Sequence, residues 1–420
     1  SLRIVNWIKW ALCGNELAPR WQESLALQAR HLRGRLEKHL RGNHLFANAK
    51  ALIFAGLFFD GVEPDGWYRL GARLIGEEIS EQFLPDGGNF ELSTMYHAIC
   101  LGDLLDLVNI HRATLHDAPS AVHELIPRAI TWLASLCHWD GEIAFFNDAA
   151  LGVAPSVDEI FRYARRLGYE APPPGTFSPE ARTANEPRLI DYPDSGYSRV
   201  ECGQALALID RAAVGPDYLP GHAHADSLCF ELSLFGRRVI VNSGTSVYGT
   251  GPDRQAERGT AAHASVVIDG ENSSEIWAGF RVARRARISR RCSRTDNDTL
   301  QLSACHDGYR RLRGRPLHCR GWQFQGRTMT IKDRITGRGV HIVEVMFPLH
   351  PDVIVREEGE DSWRLEIGGH LVEVTMSGDG TAMLTPSDYH PEFGVSLASS
   401  KLVYRHRGHL PMEITTVVSW

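Results

Sequence analysis

The sequence predicts a multidomain α+β protein, with a helical first part and an antiparallel all-β second part. Three observations carry that prediction. Apolar residues recur at helical spacing from Trp21 to about Arg166, the consecutive prolines Pro172, Pro173 and Pro174 end that pattern, and beyond them the apolar period becomes two. In the first part Leu25, Leu32, Leu36 and Leu40 share a helical repeat, and Ala47 to Phe59 is almost wholly apolar, as expected of a helix deep in a helical assembly. Further helices are predicted at about Trp67 to Phe83, Glu91 to Val108, Val122 to Cys137 and Val157 to Leu167. Short turns such as Asp60-Gly61, Pro85-Asp86-Gly87-Gly88 and Asp140-Gly141 join them, which makes neighbouring helices mostly antiparallel.

In the second part Leu228, Phe230, Leu232 and Leu234 alternate with Cys229, Glu231 and Ser233, the pattern of a half-buried strand. Similar runs occur at Ala205 to Ile209, Val239 to Val241, Ser265 to Ile268, Thr328 to Ile331, Val340 to Phe347, His370 to Met376 and Leu410 to Val418. Many short strands without intervening helices specify a sandwich or barrel rather than a parallel nucleotide-binding sheet. The expected domains are residues 1–175 and 191–420, with a linker at 176–190.

Length and composition agree. At roughly 150 residues per domain, 420 residues suffice for two sizeable cores, and 43% hydrophobic with 23% charged residues describes an ordered globular chain. A formal net charge of -6 provides no global cationic field for nucleic acid, so any anion site is local. No apolar run is long enough to predict a transmembrane segment. Neither GxGxxG nor GxxxxGK[ST] occurs, so no nucleotide cofactor is expected. The opening Ser1 to Trp10 segment does not read as a signal peptide. The eight cysteines include no CxxC pair and read mostly as buried thiols.

Four clusters carry residues suited to chemistry. Asn43, His44 and Asn48 place polar groups at the start of an apolar helix; Asn43 can cap it, or Asn43 or His44 can donate a hydrogen bond to a bound carboxylate. Asn89 and Glu91 lie on a glycine-rich turn leading into a helix that carries Tyr96, which is either core or a proton donor to a leaving oxygen. His222, His224 and Asp226 alternate on a segment entering the 228–235 strand, and can converge as exposed polarity, a metal site or proton-transfer machinery. Asn242 and the segment from Arg258 to His263 can add ligands or donors from adjacent strand ends. Finally, Arg281, Arg284, Arg285, Arg287, Arg290 and Arg291 crowd into eleven residues. They read either as an anion-binding rim, since guanidinium pairs with carboxylate or sulfate as a fork, or as charge that protects an edge strand.

Taken together, GNHLFANAKALIFAG from residue 42, GGNFELSTMYH from 87, YLPGHAHADSLCFEL from 218, VNSGTSVYG from 241 and RGTAAHASVVIDGENSSEIWAGFRV from 258 resemble the heparinase II/III-like proteins, a group containing polysaccharide lyases. The resemblance implies an incomplete N-terminal (α/α) toroid followed by a C-terminal antiparallel β-sandwich. It implies β-elimination on a uronic-acid-containing glycan: neutralise the uronate carboxylate, remove the C5 proton and protonate the departing O4. Asn43, with His44, matches the first role; Tyr96 and His222 match the proton transfers. Asn48, Asn89, Glu91, Arg258, Arg284 and Arg285 are the expected substrate contacts. A zinc ion is implied at His224 and His263, with Asn242 standing where the pattern has aspartate and Asp226 as a substitute. The expected partner is an acidic polysaccharide, the implied location periplasmic or cell-envelope, with a link to bacterial exopolysaccharide production. Alternatives are a noncatalytic glycan-binding or assembly protein and a glycoside hydrolase using Glu91 and Asp226.

Overall fold

A computed structural model of the chain describes residues 1–173 and 186–420. The helices are α1 (Leu2–Leu12), α2 (Pro19–Gly34), α3 (Gly42–Phe58), α4 (Val62–Gln82), α5 (Thr94–Ala113), α6 (Ser120–Ser135) and α7 (Val157–Arg166), followed by strands interrupted only by short helical turns such as α8 (Pro252–Arg258). Every strand pair in the described sheets is antiparallel. The predicted fold class therefore holds. Most of the expected linker, residues 176–185, lies outside the described residues, while its last residues already belong to the strand Arg188–Asp191.

The chain divides into two compact units. The first comprises Ser1–Phe90, Tyr96–Trp132 and Asp158–Pro173; the second takes Glu91–Met95, Leu133–Val157 and the chain from Pro174 onward. Two short segments expected in the helical part thus pack with the sheets.

In the first unit α3 is buried almost all round, as its composition requires. It meets α4 closely because Gly71 has no side chain: a Cβ there would lie 2.8 Å from the Ala49 carbonyl oxygen. The buried Lys50 on α3 ion-pairs with Asp103 and Asp106 of α5. Lys9 of α1 reaches Asp106 at 2.6 Å and Tyr163 of α7 donates to it at 3.1 Å. A charge this deep is tolerable only when paired and hydrogen-bonded, so this network fixes the register of four helices. Helix α1 escaped the sequence reading, and Leu36 and Leu40 fall beyond the end of α2.

In the second unit the five-stranded sheet runs β1 (Arg188–Asp191), β2 (Tyr197–Cys202), β3 (Ala205–Asp210), β4 (Phe230–Leu234) and β5 (Arg237–Ile240) in spatial order. Phe230 of this sheet, Trp322 and Phe324 of an eight-stranded sheet, and Phe347 of a four-stranded sheet share one continuous core. Strand β4 is buried on both faces, not one. Its polar face is consumed by hydrogen bonds: His138 bonds Glu231 at 2.6 Å and Ser233 at 2.7 Å, and Glu231 also accepts the Phe145 and Asn242 amides. Cys305 and Cys319 form a disulfide across neighbouring strands, because the pairing register sets them opposite each other. That corrects the expectation of thiols for these two; among the others Cys13 and Cys292 are exposed and the remaining four buried.

Candidate active site

The chemistry of the second unit gathers on a residue the sequence reading missed. Asp148 is completely buried and binds three cationic or potentially cationic groups. Its Oδ2 lies 2.8 Å from His222 Nδ1 and 2.7 Å from Arg254 Nη2, and its Oδ1 lies 2.8 Å from His224 Nε2 and also pairs with Arg254 Nη1. Burial alone would raise the Asp148 pKa; the hydrogen bonds from both histidines and the charge of Arg254 more than offset it and hold the carboxyl well below its ordinary range. Asp148 is therefore a fixed anion.

Local backbone explains how it is presented. Asn147 adopts φ 57°, a left-handed conformation that Asn tolerates. Its Nδ2 donates to the Leu92 carbonyl at 2.9 Å and its Oδ1 accepts the His224 amide at 3.1 Å. Leu92 and Leu228 also have positive φ, at 60° and 61°, a strained state for leucine that persists only where surroundings impose it. The Asp148 amide donates to the His222 carbonyl at 3.0 Å, and Ser93 Oγ to the Asp148 carbonyl.

His222 keeps 15% of its side chain exposed, while Asp148 has none. Its Nε2 is 3.4 Å from Glu91 Oε2. Burial pulls the His222 pKa down, but the hydrogen bond to Asp148 and the charges of Glu91 and Asp148 outweigh it, leaving the pKa above its ordinary value. Asp148 also holds the neutral tautomer with hydrogen on Nδ1, so Nε2 is the basic atom. Tyr248 and Phe280 flank the ring at 6.2 and 5.9 Å, and the Arg254 guanidinium lies over both. Phe280, Trp277 and Phe393 expose apolar ring surface to solvent.

The other expected residues separate into groups. Glu91 is brought to His222. Arg258 is fully buried and spends its guanidinium on the carbonyls of Ala223, Ala278 and Gly279; it positions the segment around His222 rather than offering a fork to substrate. Residues 221–228 are turns, a bend and irregular chain rather than a strand, so Asp226 is not aligned with the two histidines by strand alternation. It accepts the Asn147 amide, and burial raises its pKa to about 6. In the first unit Asn43 is half-buried at the start of α3, and His44 is exposed 3.5 Å from Glu37. Asn48, expected to contact substrate, instead engages Glu37 and Ser1 with both ends of its amide. Asn89 is buried and donates its amide to His97. Tyr96 is buried in the first turn of α5.

The zinc implied by the resemblance meets a mismatch. His224 Nδ1 and His263 Nε2 are 3.3 Å apart, a spacing two ligands of a tetrahedral ion share when bonds are about 2.0–2.1 Å. Asn242 Oδ1, however, lies 2.9 Å from the other ring nitrogen, His263 Nδ1, so the three do not face one point. Proton counting assigns a metal-free alternative. His224 donates from Nε2 to Asp148 and, neutral because burial lowers its pKa to about 4, accepts at Nδ1 from His263 Nε2–H. His263 Nδ1 then needs a donor. Turning the Asn242 amide over supplies one. Asp226, Cys229 and His263 do bring potential ligand atoms within 4.8 Å of one another, so Asp226, rather than Asn242, is the carboxylate placed to join His263 at a metal. In the metal-free arrangement the parent chain should show a melting temperature indifferent to zinc and to chelators. Asn242→Asp, which restores an anionic ligand that a turn of the His263 ring can meet, should acquire zinc-dependent stabilisation. One zinc per parent chain surviving dialysis would contradict this assignment.

Gly244 fixes the strand end beyond Asn242: it has φ +84°, and a Cβ would fall 2.1 Å from the His390 carbonyl oxygen. The missed Asp148 did leave a trace. Asn147-Asp148 interrupts the apolar run from Ile143 to Leu151, where a buried acid demands a cation.

A helical unit followed by an antiparallel sheet unit agrees with the fold that the sequence motifs implied, and a carboxylate-held histidine stands beside exposed aromatic rings in the second unit. Residues 16–167 match the model of the heparinase II/III N-terminus and residues 184–420 that of the heparinase II/III-like C-terminal domain. The chain belongs to the heparinase II/III-like family. It is 28% identical over 249 residues to a heparin-sulfate lyase of Bacteroides stercoris and 24% identical over 250 residues to one of Pedobacter heparinus, covering 55% of this chain in each case. These matches span 36% and 37% of the relatives' own lengths. The crystal structure of a heparan sulfate lyase mutant from Pedobacter heparinus superposes with a TM-score of 0.72 at 19% identity, covering 94% of this chain and 62% of that one.

Proposed function

We propose that this chain is a polysaccharide lyase that cleaves a uronic-acid-containing glycan by β-elimination. The observation that carries the proposal is the His222 assembly: Asp148 fixes the ring and its tautomer, while Glu91 raises the proton affinity of Nε2. Such an atom is suited to removing a weakly acidic C–H proton, and the adjacent Glu91 charge stabilises the imidazolium that results. Exposed aromatic faces nearby suit the apolar side of a sugar ring. Asn43 is assigned to the uronate carboxylate and Tyr96 to protonation of the departing O4, both on the strength of the family pattern.

The Cys305–Cys319 disulfide supports a periplasmic or cell-envelope location, since such bonds persist in oxidising compartments. Thiol titration after isolation under alkylating conditions checks it: six free thiols support the bond and eight contradict it. The lyase reading is tested by the ultraviolet absorbance of unsaturated uronate ends released from a panel of acidic glycans. Binding without any absorbance gain would favour a glycan-binding role instead.

A further inference from the structure

The arginine-rich segment divides into two parts with different surroundings. From Ile288 to Asp296 it is the edge strand of the eight-stranded sheet, almost wholly exposed, which fits charge placed to discourage edge pairing. Residues 283–288, together with Arg291 of that strand, border a cavity of about 780 Å³, within the range of about 300–1,000 Å³ usual for ligand sites. Five arginines line it, Arg211, Arg284, Arg285, Arg287 and Arg291, against two carboxylates, Asp194 and Asp217.

Those arginines are not equivalent. Arg284 is paired with Glu275, Arg285 with Asp217 and Arg211 with Asp191. Arg211 and Arg285 each keep a buried Nε without a hydrogen-bond partner. Arg291 donates to the Pro193 carbonyl at 2.9 Å, which leaves its charge unneutralised. Arg287 has its backbone fixed by Asp307 at 2.8 Å; among the described residues no carboxylate pairs with its side chain or with that of Arg291. The cavity also adjoins the segment that carries His222. Val214 and Ala286 of its wall pack in one buried cluster with Ala223, the next residue after His222.

We propose that this cavity is an anion subsite for a sulfate or carboxylate group on the glycan chain, with Arg287 and Arg291 supplying the uncompensated charge. It rests on the lyase reading for the identity of the glycan, but not for its binding. Arg284 and Arg285, the pair favoured by sequence alone, shape the wall through their own ion pairs. Guanidinium groups recognise both anions by paired N–H donors, so the probes must separate them.

The test measures binding of a sulfated uronate oligosaccharide and of its desulfated counterpart, at low and raised salt, with His222→Ala as background so that the probe stays intact. Arg287→Glu with Arg291→Glu should weaken binding at low salt by about tenfold or more and flatten its salt dependence. Arg294→Glu, on the same edge strand but outside the cavity wall, should change affinity by no more than about twofold. If desulfation costs the parent as much as the double substitution does, the recognised group is sulfate; retained affinity assigns carboxylate. An unchanged low-salt affinity in the double variant, or an equal loss in Arg294→Glu, overturns the subsite. Elimination by the parent is scored separately, so absence of turnover leaves the binding result interpretable.

Discussion

His222→Ala is expected to lower elimination by roughly 10² to 10⁴, the range of a lost general acid-base group, with little change in melting temperature. The alanine removes Nε2 but leaves Asp148 paired with Arg254 and His224, so the fold keeps its buried charge balance. The pH dependence gives the assignment its direction. A base works unprotonated, so the rate should rise with pH through the elevated His222 pKa. Glu91 is one cause of that elevation, and Glu91→Gln should therefore shift the rising limb to lower pH. A limb that stays in place in Glu91→Gln would remove His222 from the base role, as would near-parent turnover in His222→Ala. Tyr96→Phe and Asn43→Ala, measured beside it, ask whether the family's other two roles are retained.

Asp148→Asn is expected to have the larger structural effect. The substitution keeps shape but leaves the fully buried Arg254 without its carboxylate, and breaking one side of a buried pair costs on the order of 3–5 kcal/mol. Denaturant unfolding measures that loss. Activity should fall as well, since the amide no longer selects the Nδ1–H tautomer of His222. Adding Arg254→Met should recover part of the stability, because it removes the stranded charge, without recovering turnover. If stability and activity return together, Asp148 serves the fold alone; if neither changes in Asp148→Asn, the proposed centre is wrong.

The division into helices and antiparallel strands was legible because the hydrophobic period changes from helical to two, and the Pro172 to Pro174 break marks the change. The site was legible only in part. His222 and His224 announced themselves as ionisable groups at the mouth of an apolar strand. Their convergence on opposite oxygens of Asp148 depends on turns at 221–228 and on the positive φ of Asn147, which spacing alone does not encode. Asp226 shows the cost of assuming an extended segment: strict alternation would set it beside the histidines, and the turns send it to the Asn147 amide instead. The arginines teach a related lesson. Their density marked an anion rim, but the pairs with Glu275 and Asp217 that occupy Arg284 and Arg285 come from tertiary contacts. Likewise, the Cys305–Cys319 bond depends on a strand register that two isolated cysteines do not reveal.

Elimination and hydrolysis are separated by the masses of the fragments released from the acidic glycan that the chain cleaves. β-Elimination breaks the C4–O4 bond without adding water, so the fragment with the unsaturated uronate should be one water lighter than the corresponding hydrolytic fragment. Fragments that are all saturated, with the mass of one added water per bond cleaved, would identify hydrolysis instead.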